Sequence, residues 1–189
     1  MRVASLGAGH RPWLLLLPLL AVGCILRPES SEARRQAFDR SGLEAYLLDA
    51  PPPGLHGGAL FADGVRFLGM RYTPQEPGPS DRIEVEFYYR VEEPPPMENW
   101  MIFVHADPED GGHRVIRDHE PVGGRYPTHV WRPGEVIRDV FVLPSFGRVV
   151  DVDLWTGFFR GNERMPVVRS LGSRHDGQNR ILAGTIHIR

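Results

Sequence analysis

The feature that most constrains the fold is an alternation of apolar and polar side chains with a period of two residues. It is clearest over residues 82–91, RIEVEFYYRV, and returns over residues 150–154, VDVDL. A β-strand points successive side chains to opposite faces, so each segment places one face in a core and the other in water. The alternation therefore predicts strands in this part of the chain and argues against helices.

More strand candidates flank these two, and turns rich in proline and glycine separate them. The longer candidates are Val65–Tyr72, Trp100–His105, Glu135–Leu143 and Ile181–Ile188, and the shorter ones are His113–Ile116 and Met165–Val168. The 21 glycines and 18 prolines among 189 residues favour many short strands over long helices. We predict an all-β fold over residues 59–189. It is a β-sandwich of about seven or eight strands, immunoglobulin-like or jelly-roll-like.

The stretch Asp118–Leu143 allows two interpretations, a structural crossing between two sheets or the rim of a binding site. Its first half is rich in proline and glycine, which favours a connection, with Thr128 and Trp131 fixing it in place. Its second half alternates as a strand. We interpret the stretch as mainly architectural, with Arg125 and Tyr126 left as binding candidates.

The N-terminal residues have the layout of a secretory signal peptide. Positive residues precede an apolar run, Trp13–Val22, which is too short to span a bilayer. The run Leu20–Cys24 resembles the bacterial lipobox, which implies a signal peptide over residues 1–23 and a lipid on Cys24. An uncleaved signal anchor is the alternative. The lipid would hold the protein on a membrane of the bacterial envelope, with Ile25 favouring the outer membrane.

Residues 24–58 are predicted to be a tether between the anchor and the sandwich. Ser30 or Ser31 could cap a short helix, and the prolines of 51–53 then impose an extended spacer. The alternative is that Tyr46–Leu48 docks onto the sandwich.

Composition excludes several kinds of chemistry. All 22 basic residues are arginine, so Schiff-base and P-loop mechanisms that require lysine are ruled out. The formal charge is −2 and the arginines do not form a basic run, which argues against nucleic acid as a partner. No cofactor is predicted.

Four residues are candidates for ligand binding: Arg125, Tyr126, Trp131 and Trp155. Aromatic rings offer stacking surfaces, and a guanidinium offers a forked donor to a sugar or an acidic group. The alternative for both tryptophans is that they cover the sandwich core.

A metal site is a further candidate, formed by His105, Asp118 and His119, because histidine and carboxylate side chains are metal ligands. The spacing matches no metal motif, however. A polar hairpin with solvated histidines is therefore the simpler interpretation.

Several segments resemble one protein module. These are Phe103-Val104-His105, Asp118-His119, Gly123–Thr128 and Val152–Phe159. The chain over residues 65–188 resembles the extracytoplasmic β-sandwich found C-terminal to the membrane helices of some bacterial membrane glycosyltransferases and in stand-alone envelope lipoproteins. The resemblance implies a sandwich in the envelope that contacts glycans or proteins, and it does not imply transferase activity.

These observations lead to the expectation of a non-catalytic envelope lipoprotein that binds a glycan or a protein partner. Two alternatives remain open. One is an accessory subunit of a membrane glycosyltransferase or envelope-assembly complex. The other is a hydrolase or metal-dependent enzyme built on the sandwich.

Overall fold

The computed structural model describes residues 30–189, so the signal peptide of residues 1–23 and the lipidation site Cys24 lie outside the described residues. The described chain contains one α-helix, two short 3₁₀ turns and eleven strands. The strands form two antiparallel sheets that face each other, and the predicted all-β sandwich is confirmed. Within residues 30–189 no helix is long and apolar enough to cross a bilayer.

The bounds of the elements follow the predicted alternation closely. The helix is α1 (Ser31–Ala37), and the strands are β1 (Leu47–Leu48), β2 (Ala59–Phe61), β3 (Val65–Thr73), β4 (Ile83–Val91), β5 (Met101–Pro108), β6 (Val115–Ile116), β7 (Val136–Leu143), β8 (Val150–Arg160), β9 (Glu163–Arg164), β10 (Val167–Ser170) and β11 (Ile181–Ile188). There are more strands than expected because several, such as β1, β6 and β9, are only two residues long. Such strands are too short for the alternation to reveal them.

The larger sheet has the strand order β1-β7-β4-β3-β2-β10, and the smaller sheet has the order β11-β8-β5-β6 with β9 on β8. Every pairing is antiparallel. The register of the central pair in the smaller sheet determines which side chains lie side by side: His105 of β5 lies opposite Trp155 of β8, and Phe103 lies opposite Gly157.

Aromatic rings fill the space between the sheets. Phe87 of β4 packs edge-on against Phe67 and Phe141, with ring centroids 5.4 and 5.0 Å apart. Tyr89 packs against Phe158 of the opposite sheet at 5.3 Å. These rings are buried, and each contributes hydrophobic burial in addition to the edge-to-face attraction between rings.

Residues 30–48 pack onto the sandwich, which is the alternative that the sequence left open to a tether. Ser30 caps α1 by accepting a hydrogen bond from the Ala33 amide, as expected from the sequence. Leu43 is buried in the core, and β1 pairs with β7, so the docking of Tyr46–Leu48 is what the structure shows. The sequence did not decide between the two arrangements because the docking depends on distant partners, which local patterns do not reveal.

Arg40 joins this N-terminal segment to the connection before β7, which consists of residues 121–135. Its guanidinium pairs with Glu135 at 3.2 Å and donates to the Tyr126 hydroxyl and the Val130 carbonyl, both at 3.0 Å. Tyr126 in turn donates to Glu135. A half-buried charge is thus stabilised by several hydrogen bonds at once.

A second polar cluster fixes the start of the same connection. Asp139 of β7 is fully buried and accepts from the Val122 amide and from His119 Nε2, both at 2.7 Å. Val122 has a φ of 54°, which is strained for a β-branched residue. The Asp139 carboxylate compensates for that strain by accepting the Val122 amide, so the connection has the architectural role that the sequence indicated.

Candidate ligand-binding face

Two of the four predicted binding residues are buried. Tyr126 and Trp131 are both 0% exposed, and the Trp131 indole donates to the Tyr126 carbonyl at 2.9 Å. Neither ring offers a face to a ligand, so Arg125, Tyr126 and Trp131 do not form a binding site together. Arg125 is exposed, but its guanidinium lies 4.4 Å from the ring centroid of Tyr46 and holds the N-terminal segment.

The three candidate metal ligands do not converge. His119 is bound to Asp139, and one oxygen of Asp118 accepts the Val104 amide at 3.1 Å. His105 lies on the outward face of β5. Within residues 30–189 no group of three or more histidine, cysteine or acidic side chains is placed to hold a metal ion.

The structure instead brings polar and aromatic residues together on the outward side of the smaller sheet. We call this surface the outer face; it consists of Met101, Phe103, His105 and Asp107 of β5 and Asp151, Asp153, Trp155, Gly157 and Phe159 of β8. The alternate residues of both strands belong to the core. The outer face therefore follows from the same alternation that defines the fold.

Aromatic rings run along the outer face. Phe103 lies against Gly157, where an added Cβ would come within 2.7 Å of the Phe103 ring. The Phe103 ring centroid is 5.2 Å from that of His105 and 6.3 Å from that of Phe159. The absence of a side chain at Gly157 thus leaves room for the Phe103 ring to lie across the neighbouring strand; a larger residue at position 157 would clash with that ring.

Arginine side chains cover part of these rings. The guanidinium of Arg164 lies 4.9 Å from the Phe103 centroid, and those of Arg180 and Arg174 lie 4.8 and 5.2 Å from the centroid of Trp155. Trp155 is consequently only 9% exposed. Of the predicted binding residues it alone lies on the outer face, where it supports the arginines.

A cleft opens at one end of the outer face. Its volume is about 190 Å³, and it is lined by Phe103, His105, Asp118, Phe159, Gly161, Asn162, Glu163 and Arg164. Two residues of the predicted metal set, His105 and Asp118, therefore meet in a cleft with aromatic rings and an arginine.

The polar groups of the cleft are incompletely bonded. His105 Nδ1 is buried and has no hydrogen-bond partner in the described chain. Burial, followed by the positive charge of Arg114, lowers the pKa of His105, which keeps the imidazole neutral at pH 7. Within residues 30–189 the second oxygen of Asp118 and the side-chain amide of Asn162 form no hydrogen bond. Unused donors and acceptors in a concave site are what a polar ligand requires.

A larger depression elsewhere lacks this property. It measures about 500 Å³ and is lined by residues that include Met70, Arg71 and Gln75. Arg71 already donates to the Pro53 carbonyl and Gln75 to the Tyr72 carbonyl. Two of its three polar side chains are thus used within the fold, whereas the smaller cleft contains a buried nitrogen without a partner, so we place the candidate site in the smaller cleft.

No protein-family model, no curated protein and no solved structure matches this chain. The interpretation of the cleft therefore rests on its own geometry.

Sequence reasoning missed Phe103, Phe159, Asn162 and Arg164 as site residues. One signal was present: Phe103 and His105 alternate on β5, and Trp155, Gly157 and Phe159 alternate on β8. On each strand these residues are two positions apart, so their side chains project from one face of the strand. What was missing was the register that places the two strands side by side, and the path of the chain that brings Arg164 over Phe103.

Proposed function

We propose that this protein is a bacterial envelope lipoprotein, anchored through a lipid on Cys24, whose sandwich binds a glycan without catalysing a reaction. The observation that carries the glycan assignment is the cleft on the outer face. It combines aromatic rings with hydrogen-bonding groups that have no partner in the fold. Sugars present both C–H faces that stack on aromatic rings and hydroxyl groups that need polar partners.

A glycan fits this surface better than a protein partner that docks through apolar contacts. The large apolar side chains that are exposed in the described chain lie on four different elements: Met97 before β5, Ile116 on β6, Val149 before β8 and Val168 on β10. A protein-docking surface usually presents a contiguous apolar patch. The outer face instead combines aspartates with aromatic rings, and arginines from neighbouring segments cover part of those rings.

Binding also fits the cleft better than catalysis. The residues that line it include no serine, threonine, cysteine or lysine that His105 could activate as a nucleophile. Glu163 is engaged with Arg160 at 3.0 Å, and Asp118 is held by the Val104 amide. Both carboxylates are therefore held in place by the fold, which suits a role in orienting a bound ligand.

The docked N-terminal segment supports a position close to the membrane. Cys24 precedes the first residue of α1, Ser31, by seven positions, and seven extended residues reach at most about 25 Å. A lipid on Cys24 would therefore keep the sandwich near the headgroups.

Two experiments test the two parts of this proposal. For the anchor, cells grown with a labelled fatty acid should label the full-length protein but not the Cys24→Ser variant, and label on that variant would contradict lipidation. For the ligand, the lipidated protein is captured from its native membrane, and co-purifying glycans and proteins are identified. We expect an envelope glycan; recovery of only a glycosyltransferase or another protein would contradict the glycan assignment.

A further inference from the structure

We propose that the cleft on the outer face binds one uncharged sugar residue, presented at the end of a glycan chain or as a branch. This inference rests on the proposed glycan-binding function and specifies its ligand. It is carried by the size of the cleft, its charge and the side chains in it that lack partners.

The size of the cleft limits the ligand to one ring. A volume of about 190 Å³ is below the range of about 300–1,000 Å³ that is typical of pockets for drug-sized ligands. One sugar ring fits such a space, whereas several consecutive rings would extend beyond it. A chain end or a branch satisfies that limit.

The exposed stacking surface is Phe159. Its side chain is half-buried at the cleft, while Phe103 is only 3% exposed beneath the Arg164 guanidinium. Phe103 therefore supports the floor and does not stack on the ligand itself. A single accessible ring again matches a single sugar ring.

The cleft has no net positive charge without a ligand. Arg164 contributes one positive charge, and Asp118 and Glu163 contribute one negative charge each; Arg160 offsets Glu163 only in part, because it also pairs with Glu98 at 2.7 Å. His105 is neutral at pH 7 because its pKa is lowered. An acidic sugar would place a carboxylate near that of Asp118, so the charge pattern favours an uncharged residue.

Hydroxyl groups match the unused hydrogen-bonding capacity. Neutral His105 has one donor and one acceptor, Asn162 has both, and the free oxygen of Asp118 accepts. A sugar hydroxyl both donates and accepts, so it can bond to each of these three groups. Leaving the buried Nδ1 of His105 unpaired costs free energy, which a ligand recovers on binding. Asp118 and Asn162 are exposed, so they exchange water for the ligand.

The test uses full-length lipidated protein in detergent micelles, bound to immobilised glycan prepared from the same envelope. Soluble methyl glycosides of glucose, galactose, mannose and N-acetylglucosamine compete for binding, and methyl glucuronide serves as the acidic counterpart. We expect at least one uncharged glycoside to displace the protein at a concentration at least tenfold below that required for the glucuronide.

Variants locate the effect in the cleft. His105→Phe keeps a ring against Phe103 but removes the hydrogen-bonding nitrogens, and Asn162→Ala removes an exposed amide that forms no bond in the described chain. Each should weaken glycan binding about tenfold without changing the thermal unfolding midpoint. Val168→Ala, an exposed change on β10 of the other sheet, is the matched control and should bind as the parent does.

The outcomes separate the two levels of the proposal. Glycan binding that resists all single sugars, or that both cleft variants retain, overturns this inference and leaves the glycan-binding function standing. Tighter competition by the glucuronide overturns the assignment of an uncharged residue. The absence of any binding to envelope glycan overturns the proposed function and this inference together.

Discussion

The connection before β7 and the outer face of the smaller sheet contain the same residue types, but the side chains are arranged differently. Both combine aromatic rings, arginine, histidine and carboxylates. In the connection these groups bond to one another: Arg40 to Glu135 and Tyr126, and His119 to Asp139. His105 Nδ1 on the outer face and His129 Nδ1 in the connection both lack a partner in the described chain, and of the two only His105 lines the cleft of about 190 Å³. Composition alone therefore does not separate the two regions, and the proposed site rests on an unpartnered polar group that lines a cleft.

The largest expected effect separates the two tryptophans. Trp131 is fully buried in the core, so Trp131→Ala should lower the free energy of unfolding by about 3–5 kcal/mol. Trp155 lies outside the space between the sheets, beneath two arginines and 9% exposed, and Trp155→Ala should cost about 2–3 kcal/mol through lost burial and cation–π contacts. Chemical denaturation of both variants measures this difference. Equal losses would contradict the division into a structural region and a ligand-facing one.

The next effect concerns the docked N-terminal segment. Arg40→Ala leaves Glu135 half-buried without its ion-pair partner, so we expect a loss of about 2–3 kcal/mol, less than for a fully buried pair. Limited proteolysis should then cut within residues 30–46 faster than in the parent. Arg34→Ala, an exposed change in α1 of the same N-terminal segment, is the control. An unchanged cleavage rate in Arg40→Ala would show that Arg40 does not hold the segment.

A smaller effect comes from matched replacements by phenylalanine. Tyr126→Phe removes a hydroxyl that donates to Glu135 and accepts from Arg40, and should cost about 1–2 kcal/mol. His105→Phe removes nitrogens that have no partner in the described chain, so it should leave the free energy of unfolding within about 0.5 kcal/mol of the parent. If His105→Phe lowers the free energy of unfolding as much as Tyr126→Phe does, the proposed difference between the outer face and the connection is contradicted.

The smallest effect is a pH dependence from His119. Its Nδ1 lies 2.7 Å from the Arg117 carbonyl and its Nε2 lies 2.7 Å from Asp139, and both partners accept, so the ring is an imidazolium. Burial alone would lower the pKa of His119, but the hydrogen bond and charge of Asp139 outweigh it and raise that pKa.

The sign of the effect follows from the raised pKa. The stabilisation by His119 is fully present below its unfolded pKa of about 6.5 and is lost as the pH rises through the higher folded value. His105 and His129 have lowered pKa values and act in the opposite sense, destabilising the fold in acid. The parent and His119→Gln are therefore compared by denaturation from pH 5 to 9. The difference between them should shrink as the pH rises; a constant difference would contradict the imidazolium.

The sequence was sufficient to predict a strand wherever the strand itself alternates between apolar and polar residues. Residues 82–91 alternate without interruption, and β4 forms there as predicted. It was insufficient where a role depends on register or on distant partners. The sequence allows the same two roles for Trp131 and Trp155, ligand binding or covering the core. Only the packing places Trp131 in the core and Trp155 beneath Arg174 and Arg180.

The docking of residues 30–48 shows the same limit. It is held by Arg40, Arg125 and short backbone pairings such as Leu47 with Ile137, none of which has a local signal. The cleft likewise depends on a loop after β8 that returns Arg164 across Phe103.

The most direct test of the binding face is a titration of isotope-labelled protein with the uncharged methyl glycoside that competes best, followed by amide chemical shifts. The account predicts shifts concentrated on residues 101–105 and 159–164 around the cleft, with the connection of residues 121–135 unmoved. Shifts centred on that connection, or spread evenly over both sheets, would contradict it.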